Sequence, residues 1–225
     1  MQGMKVDLAG KVAVVTGGTR GLGKALALAL GRSGAKVAVF GRKQENVDAA
    51  LEEFQAAGIE SMGMTAKVGD TQQISEVFAA VRERLQGIDI LVNNVGMNIF
   101  TPMVSEADEK LWTKTIETNL TGVFLCTKEA VKSMKERGGG KIVNVSSIAG
   151  QRATFGLGIY CVAKAGVDML TKVLAKELAA SNIQVNAVAP SVIRTDFSKP
   201  MWSNENTLKQ ILQTRPRPQA ERKRA

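Results

Sequence analysis

The chain contains no histidine, and that one absence removes several chemistries at once. No Ser-His-Asp triad, imidazole general base or histidine-ligated metal can be built, so acid-base work must fall to Tyr, Lys, Asp, Glu or Cys. Cysteine is almost as scarce. Cys126 and Cys161 are too few and too isolated for a disulfide framework or a zinc cage. Both sit in apolar helical contexts where a thiol is ordinarily buried, with a reactive role as the minority alternative. Long apolar runs are missing too. Nothing approaches the roughly 18 residues of a membrane span, and "MQGMKVDLAGKVAVV" at the N-terminus has no apolar run before a small-residue cleavage site. A cytoplasmic protein with no metal and no membrane partner is expected.

Aromatic residues make up only 4% of the 225, which leaves few platforms for stacking bases. The formal charge of +9 is also unevenly placed, because "RPRPQAERKRA" from Arg215 onward carries +4 of it. No nucleic-acid partner is expected. That tail, with two prolines and clustered like charges, reads as disordered. Residues 1–214 are expected to form one domain, which a hydrophobic fraction of 44% can supply with a core.

What is present is a repeating alternation. Short β-rich runs ("KVAVVT", "KVAVF", "ESMGMTAKV", "DILVNN", "KIVNVSS", "IQVNAVAP") alternate with amphipathic stretches. The latter include a long helical region over about 107–137, a helix over about 159–180 and a short helix near "NENTLKQILQ". Glycines at 34, 58 and 138 follow three of the helical stretches and can adopt the left-handed conformation that ends a helix. Continuous Val/Ile/Leu strands are buried on both faces, so the pattern predicts an α/β fold: a single doubly wound, Rossmann-type parallel sheet with helices on both sides.

After the first strand comes "TGGTRGLG", Thr16 to Gly23, opening directly into a helix. Its spacing is T-G-x-x-x-G-x-G rather than G-x-G-x-x-G, but the physics is shared. Gly17 permits the tight turn, Gly21 lets a pyrophosphate approach the backbone, Gly23 allows close packing, and the helix start supplies free N–H groups. At the end of the second strand, where a carboxylate would bond the ribose 2′-hydroxyl of NAD, "VFGRK" offers Arg42 and Lys43 instead. With Arg20 in the glycine loop, these cations suit an adenosine 2′-phosphate, so NADP is the expected cofactor. The plainer alternative is a solvated basic loop.

Tyr160, the only tyrosine, precedes Lys164 by one helical turn. A free phenol, with a pKa of about 10, exchanges its proton poorly near neutral pH, and a nearby ammonium is expected to lower that value. Ser147, at the end of "KIVNVSS", stands on the carboxyl edge where open α/β sheets build their sites. Taken singly, each of these residues also suits a purely structural role.

Taken together, they resemble the short-chain dehydrogenase/reductase family of classical type. "TGGTRGLG" matches its glycine motif, "NNVG" at 93–96 its N-N-A-G, Asn119 its helix asparagine, Ser147 its serine and "YCVAK" its Y-x-x-x-K, in family order. The resemblance implies hydride transfer between nicotinamide and a carbonyl or secondary alcohol. Tyr160 would be the acid/base, Lys164 the ribose ligand, Ser147 the holder of the substrate oxygen and Asn119 the support of a water relay. It further implies cofactor contacts from Gly17, Thr19, Arg20, Gly21, Leu22, Gly23, Arg42, Lys43, Val68, Asn94, Gly96, Tyr160, Lys164, Pro190, Ile193 and Thr195, with Asn93 and Gly96 bracketing the cofactor.

Three departures stand out against the family pattern: Lys67 for an adenine-binding aspartate, Val95 for alanine, and Ser191 for glycine. The family also usually continues through another helix and strand, so six strands are expected here. A shortened, inactive NADP-binding protein is the alternative reading. The substrate pocket is expected among Met97, Asn98, Gln151, Ala153, Phe155 and residues 192–202. A small-molecule carbonyl or alcohol is the expected partner, together with self-association through the two long helices.

Overall fold

The computed structural model describes residues 6–203 and 209; the expected helix near 204–213 and the tail from 215 lie outside the described residues, apart from Lys209. The chain divides into a unit reaching Ser191 and a segment from Val192 onward. In the first unit six strands form one sheet of order β3-β2-β1-β4-β5-β6: β1 Val12–Thr16, β2 Lys36–Gly41, β3 Ser61–Thr65, β4 Ile90–Asn93, β5 Gly140–Val145 and β6 Ile183–Val188. Every pairing is parallel. The order reverses beside β1, and that switch point opens a crevice at the carboxyl ends of β1 and β4.

Alternation along the strands sorts the core into two layers. Val12 and Val14 point to one face with Phe40, Leu91 and Ile142, under α3 (Thr71–Leu85) and α5 (Gly122–Glu136). Ala13 and Val15 point to the other with Val37 and Val39, under α1 (Gly21–Arg32) and α2 (Gln44–Ala56). This two-sided burial is why the strands carry near-continuous Val/Ile runs. The edge strand β6 is buried on one side only. Ile183 and Val185 are covered, while Gln184, Asn186 and Val188 are exposed. The glycines that close α1, α2 and α5 hold positive φ, as expected.

The long helix expected over 107–137 is interrupted. α4 (Glu109–Ile116) passes through a π-helical turn, Glu117–Thr121, before α5 begins. The Asn119 side chain supplies the reason: its Nδ2 donates to the Thr115 carbonyl, the group to which its own backbone N–H would bond in a regular α-helix. α6 (Gly158–Glu177) follows β5 and packs beside β6. Beyond Ser191 the described segment holds a 3-10 turn, Asp196–Ser198, and α7, Lys199–Trp202.

A cluster at the amino ends of β1 and β4 holds the sheet opposite that crevice. Asp89 accepts from Val12 N at 2.9 Å and from Arg137 Nε and Nη2 at 3.0 Å each, while Arg137 Nη1 donates to Gln86 O at 2.8 Å.

Candidate active site

The glycine loop is shaped by contacts that leave no room for side chains. Gly17 turns the chain with φ +63°, a conformation costly for other residues. A Cβ at Gly23 would collide with the Gly17 carbonyl oxygen and lie 2.5 Å from Asn94 Nδ2. The close approach is therefore of α1 to the loop itself. α1 starts without a side-chain cap and without an acid in its first turn, so its amino end presents backbone N–H groups and a positive dipole.

Thr16 and Asn94 tie this loop to β4, a link absent from the sequence reading. Thr16 Oγ1 accepts from Asn94 N at 2.9 Å and Val95 N at 3.0 Å, and Asn94 Nδ2 donates to Thr16 O at 3.0 Å. Asn93 departs from expectation. Its side chain is enclosed, with Nδ2 donating to Asn144 Oδ1 at 2.8 Å and Thr127 Oγ1 at 3.1 Å. Strand alternation turns Asn93 into the core and Asn94 toward the glycine loop.

At the end of β2, Gly41 backs onto Thr19: a Cβ there would lie 2.8 Å from Thr19 Oγ1. The loop and the β2 end are thus neighbours. Arg20 and Arg42 are both exposed, and neither has an ion-pair partner among the described residues. Lys43 differs, with Nζ 3.0 Å from Glu45 in the first turn of α2. Leu22 packs on the core layer below the loop, and Val68 is buried, with Gly122 close against it. Val95 also packs against the core and touches the space above Gly17, so the extra methyl groups are absorbed there. Ser191 does not take a positive φ and carries none of the strain a left-handed serine would.

Tyr160 and Lys164 occupy one face of α6, with Nζ 5.6 Å from the ring centroid. Both are buried, at 9% and 2% exposure. Lys164 Nζ donates to Val145 O at 2.7 Å, anchoring it to the last residue of β5. Ser147 lies two residues beyond that strand. Its Oγ accepts from Ala149 N at 3.1 Å, and its side chain acts on Tyr160 to lower the phenol pKa. The turn after it presses closely on α6, since a Cβ at Gly150 would lie 2.8 Å from the Lys164 carbonyl carbon. Asn119 is fully enclosed: Oδ1 accepts from Met97 N at 3.0 Å and Nδ2 donates to Met97 O at 2.9 Å. Gly96 completes the convergence. A Cβ there would lie 3.3 Å from Asn119 Oδ1 and 3.9 Å from Lys164 Nζ.

Pro190 reaches this region through its carbonyl, which accepts from Ile148 N at 3.1 Å. Ile193 and Thr195 belong to the following segment. There Thr195 N receives Ser198 Oγ as acceptor at 3.2 Å, Ser198 Oγ also bonds Ile193 O, and Trp202 Nε1 donates to Thr195 O at 3.2 Å.

Burial sets the protonation equilibria. It raises the Tyr160 phenol above its ordinary range, opposed by the hydrogen bond to Ser147 and assisted by Cys161. This reverses the expected lowering, because in this arrangement desolvation of the phenolate is the largest influence. Burial also lowers Lys164 to about 8, opposed by Asp168. Between pH about 8 and 10.5 the unfolded chain therefore binds a proton that the folded Lys164 has lost, so stability rises with pH there. Above the ordinary phenol value of 10, Tyr160 acts in the opposite direction. Chemical denaturation from pH 8 to 10 should show a Lys164-dependent slope of up to about 1.4 kcal/mol per unit. An unchanged slope in Lys164→Met would refute this assignment.

A switch-point crevice with a glycine cradle on one side and a half-buried hydroxyl beside a buried phenol and ammonium on the other fits an oxidoreductase of the dinucleotide-binding class. Comparisons with known proteins give the family. Residues 11–206 match the short chain dehydrogenase family model, and the chain belongs to that family. It is 42% identical over 206 residues to Dehydrogenase/reductase SDR family member 4 of Oryctolagus cuniculus, covering 92% of this chain and 79% of the relative. It is 41% identical over 193 residues to a 3-oxoacyl-[acyl-carrier-protein] reductase of Synechocystis, covering 85% and 78%. Among solved structures, an actinorhodin polyketide ketoreductase variant with NADPH superimposes with a TM-score of 0.82 at 38% identity, covering 89% and 79%. Among the described residues no helix is long and apolar enough to cross a membrane.

Proposed function

We propose that this protein is an NADP-dependent reductase or dehydrogenase of carbonyl and secondary alcohol groups, with Tyr160 as acid/base. The observation that carries the reading is the buried Tyr160 phenol on the same face of α6 as the buried Lys164 ammonium, with Nζ 5.6 Å from its ring centroid. The cradle suits the cofactor: Gly17 and Gly23 exclude side chains, the α1 terminus suits a pyrophosphate, and Arg20 and Arg42, exposed and without ion-pair partners among the described residues, suit a 2′-phosphate. Thr19, Gly21, Leu22, Val68, Asn94, Gly96 and Pro190 complete the proposed contacts; Lys43 contributes only by leaving Glu45. The NADPH of the ketoreductase structure supports the same choice.

The nicotinamide supplies or accepts the hydride. The chain's own residues manage the proton and the oxygen. Ser147 Oγ and the Tyr160 hydroxyl hold one substrate oxygen, and the phenol donates its proton as negative charge develops there. Lys164, fixed by Val145 O, favours the phenolate left behind. Asn119, clamped on Met97, holds the π-turn that opens the helix beside Lys164.

A cytoplasmic setting is part of this reading, supported by two free cysteines. So is self-association through the long helices, supported by the exposed apolar side chains Trp112, Phe124, Met169 and Val173. The cofactor choice is tested by Arg20→Ala and Arg42→Ala. Each should raise the KM for NADPH by about 10- to 100-fold, the value of a charge-assisted contact, and leave NADH within about threefold. Equal effects on both cofactors would remove the 2′-phosphate assignment.

A further inference from the structure

A chain of buried amides and hydroxyls crosses the core beside the site, and the proposed proton chemistry leaves it without a role. Asn93 and Asn144 stand opposite each other in the register of β4 and β5 and are 2% and 0% exposed. Asn93 Nδ2 donates to Thr127 Oγ1 of α5 at 3.1 Å and to Asn144 Oδ1 at 2.8 Å, and Asn144 Nδ2 donates to Thr171 Oγ1 of α6 at 2.9 Å. Thr171 Oγ1 then donates to Val167 O at 2.7 Å, within the same helix. Side chains from two strands and two helices thus hold one another. Buried amides demand partners, and Asn93 Oδ1 has none among the described residues. Apolar groups of the same shape can replace such a chain at little cost in stability, so the geometry it imposes is the better reason for it.

That geometry concerns Lys164. Asn144 immediately precedes Val145, whose carbonyl accepts from Lys164 Nζ at 2.7 Å. Thr171 lies on α6 two turns beyond Lys164 and is 7% exposed. The end of β5 and α6 are therefore joined at two heights, by the Asn144–Thr171 bond and by the Lys164–Val145 bond. Ser146 Oγ adds a longer contact to Lys164 O at 3.4 Å. A helix pinned at one height can rotate or slide against its strand, whereas one pinned at two cannot. Thr171 thereby sets where the ammonium meets the Val145 carbonyl.

We propose that Thr171, held by Asn144, is a positioning residue for Lys164: it fixes the height of α6 against β5 so that the ammonium reaches the Val145 carbonyl beside Tyr160. The inference rests on the reductase reading above, in which Lys164 favours the phenolate. Removing the Thr171 hydroxyl loosens the Lys164–Val145 bond, and because that bond favours the charged ammonium, its loss moves Lys164 toward the neutral amine. The titratable groups near Lys164 on α6 are Tyr160, Cys161 and Asp168, with Lys172 two turns on. Residues 93–97, 144–150 and β6 supply no charge, and α4 with the π-turn carries Glu109, Lys110, Lys114 and Glu117 exposed. None of these groups is altered in the variants below.

The test compares Thr171→Val, which keeps the branched shape and removes the hydroxyl, with Thr171→Ser, which keeps the hydroxyl, in the full chain. With NADPH and a ketone that the wild type reduces, kcat in Thr171→Val should fall about tenfold while the KM for NADPH stays within about threefold, as expected for a misplaced group. The alkaline limb of kcat/KM should move to lower pH by about 0.5 unit, part of the value of a hydrogen bond to a charged group. Thr171→Ser should restore both. A readout without turnover is the Lys164-dependent rise in stability with pH, whose onset should move to lower pH in Thr171→Val. A Thr171→Val protein that loses stability but keeps its kcat and the position of both pH responses would reduce the chain to a structural role and overturn the inference. The parent reading is judged separately: a wild type that reduces no ketone would end it, while the onset of the stability rise still decides the role of Thr171.

Discussion

Tyr160→Phe is expected to lower kcat by about 10²- to 10⁴-fold, the range for losing a positioned proton donor. In the proposed mechanism the phenol supplies the proton. The chain has no histidine, and Cys126 is fully enclosed, with burial pushing its thiol up. Phenylalanine keeps the buried ring and its place beside Lys164 Nζ, so the fold and the cradle should be undisturbed. The Kd for NADPH should change by less than about threefold, and thermal stability by less than about 1 kcal/mol, because only one hydroxyl is removed. Single-turnover measurement of NADPH oxidation is the appropriate readout. Retention of wild-type turnover would move the acid to another group and end the mechanism proposed here. Loss of turnover with NADPH binding preserved is the expected result. An inert wild type that still binds NADPH would select the alternative of a binding protein without turnover.

Asp89→Ala should have the opposite profile, with stability lost and chemistry kept. The carboxylate is about 10% exposed and joins three elements: the start of β1 through Val12 N, its own position before β4, and the end of α5 through Arg137. Removing it strands the Arg137 guanidinium and a backbone N–H in a crowded place. Gly87 shows how crowded: a Cβ there would lie 2.6 Å from Arg137 Cδ. Breaking a fully buried pair costs about 3–5 kcal/mol, and the partial exposure of Arg137, 32%, places this one near the lower end. For a chain of this size, about 3 kcal/mol corresponds to a fall in Tm of about 6–12 °C. Because Asp89 lies at the amino edge of the sheet and Tyr160, the proposed acid/base, lies toward the carboxyl edge, kcat at 20 °C should stay within about twofold. A drop in kcat with an unchanged Tm would show that the two edges are not independent. Asp89→Asn, which keeps the acceptor oxygen, should recover part of the lost stability.

The two variants also separate what could be read along the chain from what could not. The βα alternation, the glycine loop and the order Asn119, Ser147, Tyr160, Lys164 were legible, because each depends on local spacing: two residues per strand repeat, one helical turn from tyrosine to lysine, a turn that only glycine fits. The Asp89–Arg137 pair was not legible, since its members are 48 residues apart and meet only when β4 and α5 are stacked. The π-turn was missed for a related reason. "KTIETNLTGVF" reads as helix throughout, and the interruption depends on Met97, from another loop, holding Asn119 at both ends of its amide. Asn93 and Asn94 look equivalent in sequence; the pleat of β4 sends one into the polar core network and the other to the glycine loop.

The sequence by itself determined the fold class, the parallel order of strands and helices, and the identity of the groups available for chemistry, because a chain without histidine and with one tyrosine leaves few choices. Only the tertiary structure decided the state of those groups. Whether a phenol is acidified or made less acidic depends on what surrounds it in space, and here burial raises it. Equally, two phenylalanines more than fifty residues apart meet edge to face because a backbone bridge joins their loops beside the helix that carries Tyr160.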